Sequence, residues 1–297
     1  MLKHKNCPLC GSDKISVLHM CRDFLVSGDI FPVCNCGSCS FVFTNNAPGE
    51  QESAAFYVSD EYISHSDTGK GLINKAYHLV RKWMLASKFR MLREESRLSS
   101  ASVLDIGSGT GYFPVFLRKK GWECQGIEIS DAAREAALAR NNISLLPPAA
   151  ILDIKSSGID IITMWHALEH FYRPGDYLDA SHRILKDDGL LVVAVPNHLS
   201  HDAKKYGGRW AAWDVPRHLW HFNPDSMQEM AEKHHFKLQS IRRLPFDAFY
   251  VSVLSEKNNN TPFPLIRGFI AGSVSWLGSI RNIRTSSSLV YFFRKDQ

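Results

Sequence analysis

The chain has 297 residues, of which 44% are hydrophobic and 22% are charged, and its formal net charge is +5. These proportions exclude a disordered chain and favour a catalytic domain of about 200 residues with a smaller appendage. The weakly basic balance permits contact with nucleic acid or anionic lipid but argues for neither, and the sequence has no run of about eighteen uncharged apolar residues that would predict a transmembrane helix.

The first 46 residues are rich in cysteine and predict a small zinc-ribbon-like module. Two CxxC pairs, Cys7 with Cys10 and Cys36 with Cys39, have the spacing that lets both thiolates of a pair reach one ion. Such pairs predict a tetrahedral zinc site in which every position is filled by the protein. The zinc is therefore expected to be structural rather than catalytic.

Two further cysteines of this region, Cys21 and Cys34, could each replace a zinc ligand or be spare thiols. The sequence before Cys7 has no apolar stretch of the kind that a secretory signal needs. We therefore expect the protein to work in a reducing cytoplasm, where CxxC pairs bind metal more often than they form disulfides.

Residues 47–100 form the second predicted region, a helical connector or lid. A turn signal occupies residues 45–49, and residues 70–97 have apolar positions at a helical period with basic residues on the other side. An amphipathic helix is therefore expected between the zinc module and the rest of the chain.

Residues 101–297 alternate between strand, glycine-containing turn and helix. This alternation predicts an α/β fold in which helices cover both faces of a mostly parallel sheet. The chain end would supply an antiparallel edge and complete a doubly wound, seven-stranded Rossmann-type sheet. Six of the seven strands are predicted at 102–106, 123–129, 159–164, 190–195, 236–243 and 286–293.

A glycine-rich loop follows the first of these strands and opens a helix. Gly107, Gly109 and Gly111 follow a GxGxG spacing rather than the dinucleotide GxGxxG, and Asp105 precedes them. A carboxylate at this place would repel a pyrophosphate but suits the ammonium group of a methionine-like tail. Glu128, at the end of the second strand, is placed to accept hydrogen bonds from both ribose hydroxyls. The two acids favour S-adenosylmethionine over NAD as the cofactor, held by this loop with Ser108 included.

The loop and two later segments resemble class I S-adenosylmethionine-dependent methyltransferases. Residues 159–170 (IDIITMWHALEH) resemble the fourth-strand motif of the bacterial small-molecule and sugar branch, and residues 185–197 (LKDDGLLVVAVPN) resemble the turn and strand that follow. The resemblance covers roughly residues 101–297 and implies a methyltransferase. Ile129, Trp165 and His166 are the further cofactor contacts that we expect.

Three polar residues after the third predicted strand, His166, Glu169 and His170, stand at i, i+3 and i+4 and would project together. His170 is the expected general base, with the other two and His218 as further catalytic candidates, because the pKa of histidine lies near neutrality. The triplet also resembles the ExxEH arrangement of ubiquinone-pathway O-methyltransferases and small-RNA 3′-end methyltransferases, with His166 in place of the first Glu. That resemblance implies a divalent metal at the turn as an alternative.

The segment 209–222 follows the fifth strand and combines tryptophan, histidine and arginine. Similar segments of the form RW…W…PRHLxHF recur in bacterial methyltransferases of polysaccharide and natural-product clusters. Substrate contacts are expected from Trp213, Arg217, His218 and His221, because aromatic faces stack on rings and arginine binds phosphate. The alternative is that the three tryptophans of the loop form a small core beneath it.

The expected function is methyl transfer from S-adenosylmethionine to a small-molecule acceptor: a sugar, a nucleotide-activated sugar, a ring compound or a polysaccharide precursor. A zinc-ribbon ribosomal or transfer RNA methyltransferase is the first alternative. Against it, only Lys14 and Arg22 lie between the two CxxC pairs, too few for a basic face. A non-catalytic zinc-ribbon adaptor is the second alternative, which the intact Asp105 and Glu128 disfavour.

Overall fold

The computed structural model describes residues 1–57, 72–244 and 246–296. These residues form two β-sheets that share one hydrophobic core. The larger sheet contains β4 (Ser102–Ile106), β5 (Glu123–Ile127), β6 (Ile159–Trp165), β7 (Leu185–Pro196), β9 (Phe236–Arg243) and β10 (Ser288–Lys295). The smaller sheet contains β1 (Ile15–Arg22), β2 (Ile30–Cys36), β3 (Val42–Thr44) and β8 (Trp220–His221).

Helices of the described residues surround both sheets. They are α1 (Leu72–Ser96), α2 (Tyr112–Lys119), α3 (Asp131–Asn141), α4 (Pro174–Ile184), α5 (His201–Tyr206), α6 (Pro224–Lys233), α7 (Asp247–Asn258) and α8 (Pro264–Arg281). Short 3₁₀ helices occupy 50–57, 148–152, 168–170, 207–209, 211–213 and 283–285. None of the helices described here is long and apolar enough to cross a membrane.

The larger sheet has the strand order β5-β4-β6-β7-β10-β9, in which β10 runs antiparallel to both of its neighbours. The predicted doubly wound α/β fold with an antiparallel edge is therefore confirmed. The described residues contain six strands of this sheet rather than the expected seven, because Ile127 and Leu146 form only an isolated parallel bridge. Pro147 and Pro148 follow directly and have no N–H groups with which to extend a ladder.

Alternate residues of β7 enter two cores on opposite faces of the sheet. Leu191 and Val193 belong to the core that contains residues of α4 and α6. Leu190 and Val192 belong to the core that contains residues of α1 and α2. All four are fully buried, as expected for a parallel sheet covered by helices on both faces.

The cysteine-rich region is joined to the α/β part through the smaller sheet. Its strand β3 pairs with β8, so that Phe43 lies opposite Trp220. Phe41, Phe43 and Trp220 belong to the same core as Leu104 and other residues of the larger sheet. The predicted domain boundaries remain predictions, but several residues of the first 46 belong to the core of the larger sheet.

Local sequence signals explain several helix ends. Ser130 is the N-cap of α3, because its side chain accepts a hydrogen bond from the Ala133 N–H. Asn223 and Ser226 form a reciprocal capping box at the start of α6.

Candidate functional site

The glycine-rich loop lies between β4 and α2 and touches the turn that follows β6. Gly107, Gly109 and Gly111 all have positive φ angles, of 80°, 54° and 78°, which explains why glycine occupies these positions. A Cβ atom on Gly107 would lie 2.5 Å from the Cβ of Ala167. The predicted cofactor loop and the predicted catalytic turn are therefore immediate neighbours. Ser108 supports the loop by donating a hydrogen bond to the Asp105 carbonyl oxygen.

Glu128 stands at the end of β5 with its carboxylate turned toward the loop. One carboxylate oxygen accepts a hydrogen bond from the Gly109 N–H at 2.7 Å, and the other accepts one from the Ser130 N–H at 3.0 Å. Burial raises the pKa of Glu128, although these N–H groups act in the opposite sense. The neighbouring Ile129 is 67% exposed, which leaves an apolar surface beside the carboxylate.

Asp105 is buried at the end of β4 and accepts a hydrogen bond from the Thr163 hydroxyl at 2.6 Å. Burial raises the pKa of Asp105, while Thr163 and the positive charge of Lys88 oppose the rise. The Lys88 ammonium lies 4.4 Å from the ring centre of Trp165. Burial lowers the pKa of Lys88 to about 8, against the attraction of Asp105 and Asp247. Sequence analysis missed Lys88, because a lysine in an amphipathic helix has the pattern of an ordinary solvated charge.

His166 is held between two carboxylates. Its Nε2 lies 3.0 Å from Asp247 Oδ2, and its Nδ1 lies 3.5 Å from Glu169 Oε1. Burial opposes the charged form, but these two carboxylates outweigh it and raise the pKa of His166 to about 10. The imidazole is therefore charged at neutral pH, so that it lacks the free lone pair that a base or a metal ligand needs. Asp247, at the start of α7, was not foreseen because it is 81 positions away in the chain.

Glu169, His170 and His218 form a compact cluster in which their ligand atoms all lie within 4.8 Å of one another. Glu169 is fully buried, and within the described part of the chain neither carboxylate oxygen has a hydrogen-bond partner. Burial opposes its ionisation, but the surrounding histidines, with His166 first, lower the pKa of Glu169. The cluster therefore differs from the predicted triplet, because His218 rather than His166 stands beside Glu169 and His170.

Backbone carbonyls hold both histidines of this cluster through Nδ1. The Nδ1 of His170 lies 3.1 Å from the Arg217 carbonyl oxygen and 3.2 Å from the Tyr57 hydroxyl, and the Nδ1 of His218 lies 2.9 Å from the Ala212 carbonyl oxygen. A carbonyl oxygen only accepts hydrogen bonds, so Nδ1 carries the proton in both rings and Nε2 keeps its lone pair. Burial, with the neighbouring His218, lowers the pKa of His170 to about 4.

The tryptophans of the 209–222 segment lie in the protein core. Trp210, Trp213 and Trp220 are each less than 5% exposed. Their indole N–H groups donate to Asp202, to the Gly207 carbonyl oxygen and to the Phe171 carbonyl oxygen, respectively. This is the arrangement that the alternative interpretation describes.

Arg217 and His221 are also engaged by protein partners. The Arg217 guanidinium is buried and pairs with Asp214 at 2.7 Å and with Asp23 of the cysteine-rich region at 3.0 Å. The Nε2 of His221 lies 2.9 Å from the Thr44 hydroxyl. Contacts of Trp213, Arg217 and His221 with an acceptor would require the loop to rearrange, whereas His218 lies in the cluster with Glu169 and His170.

The structure also brings the four predicted zinc ligands together. The Sγ atoms of Cys7, Cys10, Cys36 and Cys39 all lie within 4.8 Å of one another, which fits four thiolates around one tetrahedral ion. Cys21 and Cys34 are buried outside this group. Burial raises the pKa of Cys21 to about 12.

Comparison with known proteins finds methyltransferases among the relatives of this chain. A relative from Laribacter hongkongensis, malonyl-[acyl-carrier protein] O-methyltransferase, is 29% identical over 158 residues, which are 47% of this chain and 52% of the relative. The chain spans about half the length of the curated relatives it matches.

Two solved structures share the fold. One is the Burkholderia thailandensis 1,6-didemethyltoxoflavin-N1-methyltransferase, which holds S-adenosylhomocysteine. The superposition includes 88% of this chain and 98% of that protein, with a TM-score of 0.51 and 16% sequence identity. The other is the [4+2]-cyclase SpnF. The superposition includes 84% of this chain and 97% of that protein, with a TM-score of 0.54 and 14% sequence identity.

The profile of one protein family, described as the methyltransferase domain, matches residues 78–241, more than half of the chain. The match includes the glycine-rich loop, Glu128 and the Glu169–His218 cluster. The chain therefore belongs to the methyltransferase-domain family.

Proposed function

We propose that the protein transfers a methyl group from S-adenosylmethionine to a small-molecule acceptor. The observation that carries the proposal is the contact between Gly107 and Ala167, which sets a cofactor-type glycine loop directly against the Glu169–His170–His218 cluster. A methyl donor on the loop would then lie next to groups that can take a proton. The named substrates of the relatives, malonyl-[acyl-carrier protein] and 1,6-didemethyltoxoflavin, support an acceptor other than a nucleic acid.

Four features of the site suit the cofactor. Asp105 offers a buried carboxylate for the ammonium group, and Glu128 could exchange its hydrogen bonds with the loop for the ribose hydroxyls. The exposed Ile129 suits an adenine face, and Gly107 to Gly111 allow close approach of the backbone. The Trp165 face already attracts the Lys88 ammonium, so it would equally attract a positively charged sulfonium.

His170 is the proposed base. Its Nε2 lone pair could take a proton from an acceptor hydroxyl, and the anionic Glu169 beside it would stabilise the imidazolium that forms. The low pKa of His170 keeps the ring neutral, and therefore able to accept a proton, at neutral pH. His166 is proposed to position Glu169 rather than to react, because it is already protonated.

A divalent metal is the alternative role for the same cluster. The buried Glu169 carboxylate has the His166 ring 3.5 Å away on one side, and a metal cation would compensate its charge from the side of His170 and His218. One carboxylate and two imidazoles with carbonyl-bound Nδ1 atoms have the ligand chemistry of zinc or another transition-metal site. Glu169, His170 and His218 would be the ligands, and the metal would polarise an acceptor oxygen.

A nucleotide-activated sugar or polysaccharide precursor remains the acceptor class that we propose, on the resemblance of the 209–222 segment. The thiol cluster would hold a structural zinc, and four reduced cysteines support a cytoplasmic setting. RNA methylation and a non-catalytic adaptor role are the competing functions. Salt-dependent RNA binding would favour the first, and failure to bind S-adenosylmethionine would favour the second.

The test compares His170→Ala with His234→Ala, a histidine of the distant α6 end, in a turnover assay and in calorimetry with S-adenosylmethionine. We expect His170→Ala to lower turnover by about 10² to 10⁴-fold while cofactor affinity is nearly unchanged. Wild-type protein that binds no S-adenosylmethionine would contradict the proposed function altogether.

Titration with Mn²⁺ distinguishes the two roles proposed for the cluster, a general base at His170 and a site for a divalent metal. If the cluster binds metal, Glu169→Gln and His218→Ala lose a site that the wild type has. His234→Ala is again the control and keeps the site, because His234 lies outside the cluster. Wild-type protein without a Mn²⁺ site at this cluster leaves His170 as a base acting alone.

A further inference from the structure

The outward face of α8 is apolar and exposed over the whole length of the helix. Six large side chains, each at least 55% exposed, share this face: Leu265, Ile266, Phe269, Ile270, Val274 and Leu277. Soluble proteins rarely leave so many neighbouring large apolar side chains in water. We therefore expect this α8 face to bind another apolar surface.

The helix is not able to turn this face inward. Its inner face consists of small buried residues that press against α7. A Cβ atom on Gly268 would lie 2.5 Å from Val253 Cα, and one on Gly272 would lie 2.7 Å from Phe249 Cα. Only glycine fits at such close approach, so rotation of α8 would bring large side chains into the α7 backbone.

The segment from Lys257 to Arg284, which runs from the end of α7 past the end of α8, carries charged residues of only one sign. Between Lys257 and Arg284 the sequence contains Arg267 and Arg281 and no Asp or Glu. The adjacent acid Glu256 is buried and neutralised, because it pairs with Lys205 at 3.0 Å and with Arg267 at 3.2 Å. Lys257, in the last turn of α7 before the loop that leads into α8, and Arg281, the last residue of α8, are both exposed.

A second copy of the chain is a poor match for this surface. In a symmetric contact the same patch meets itself, so Lys257 and Arg281 would face cations with no carboxylate between them. An anionic lipid surface matches both features of the face. Its acyl chains can surround the apolar side chains, and its phosphates can pair with Lys257 and Arg281.

We propose that the α7–α8 hairpin docks the protein on the surface of a membrane that contains anionic phospholipid. The apolar side chains of α8 enter the interface between headgroups and acyl chains, and the helix lies parallel to the surface. This contact is independent of the proposed methyl transfer, because none of the residues on the α8 face belongs to the candidate site.

The experiment is co-sedimentation of the full chain with vesicles of phosphatidylcholine, with and without phosphatidylglycerol. We expect binding to the vesicles that contain phosphatidylglycerol, weaker binding to phosphatidylcholine alone, and weakening by salt. The variant Leu277→Glu/Arg281→Glu should bind at least about tenfold more weakly, because it removes one apolar and one cationic contact. The matched control is Leu138→Glu/Arg140→Glu, which changes an exposed leucine and an exposed arginine on α3 by the same charge and should bind like the wild type.

Two results would overturn the proposal. One is wild-type protein that stays in the supernatant with every vesicle composition, which needs no variant to interpret. The other is an equal loss of binding in the α3 and α8 variants, which would mean that total charge and not this face controls binding. A wild-type dimer by light scattering that the α8 variant alone dissociates, without vesicle binding, would assign the face to a second copy instead.

Discussion

The His170 ring lies against the His218 ring, with centroids 4.6 Å apart and planes at 76°. The two histidines are 48 positions apart in the chain, and each comes from a loop at the carboxyl edge of the sheet. Their proximity makes it costly to charge both rings, which contributes to the low pKa of His170. The buried Glu169 carboxylate beside these rings is the negative group that would stabilise a proton on His170 or a metal cation.

Loss of the Glu128 carboxylate should weaken cofactor binding. Glu128→Ala is expected to lower the affinity for S-adenosylmethionine by about 1 to 3 kcal/mol, the usual cost of losing hydrogen bonds to a charged group. Isothermal titration calorimetry measures the change, with Glu123→Ala, an exposed acid at the start of the same strand, as the control. Equal affinity of both variants and the wild type would remove Glu128 from the ribose site.

Gly107 should tolerate alanine less well than Gly109. Both have positive φ, but a Cβ on Gly107 would collide with Ala167, whereas a Cβ on Gly109 has no heavy atom within 4 Å. Gly107→Ala should therefore lower the free energy of unfolding by about 2 to 4 kcal/mol, and Gly109→Ala by only about 1 kcal/mol. Urea denaturation measures both values. Adding Ala167→Gly to Gly107→Ala should recover part of the loss, and a double variant no more stable than the single one would disprove the steric explanation.

The cysteine cluster is expected to hold about one zinc ion per chain. Elemental analysis of protein prepared without added metal should find it, and Cys36→Ser should lose it together with thermal stability. Cys21→Ser is the matched control, because Cys21 is a buried thiol of the same region outside the cluster. If the control also loses the metal, Cys21 is a ligand and the proposed set of four is incorrect.

Local patterns were enough to predict the main sheet and the position of the cofactor loop. The bounds of β4 and β9 agree with their predicted ranges. β4 ends directly before Gly107, and β9 begins just after the C-cap of α6, which are local signals. The spacing of the two CxxC pairs likewise predicted which four thiols come together.

Contacts between distant segments could not be predicted in this way. The pairing of β3 with β8 joins residues far apart in the chain, and β8 has only two residues, too few for a period. His166 meets Asp247 and Arg217 meets Asp23 through ion pairs that exist only in the folded chain. These pairs engage the His166 and Arg217 side chains with partners that no local sequence pattern indicates, and the roles predicted for the two residues remain predictions.

Glu256 should make the stability of the protein depend on acid pH. Lys205 and Tyr206 of α5 and Arg267 of α8 surround this buried carboxylate. Burial opposes its ionisation, but the hydrogen bonds from Thr261, Lys205 and Tyr206 outweigh it and lower the pKa of Glu256 from 4.5 to about 2. Because the folded pKa lies below the unfolded one, the stabilisation is complete above about pH 5 and is lost as the pH falls toward 2.

Glu256→Gln should therefore lower the free energy of unfolding by about 2 to 3 kcal/mol at neutral pH, and this difference from the wild type should shrink steadily below about pH 4. Urea denaturation across this pH range measures it, with Glu135→Gln on the exposed side of α3 as the control. A difference that stays constant with pH would show that Glu256 contributes through packing rather than through its charge.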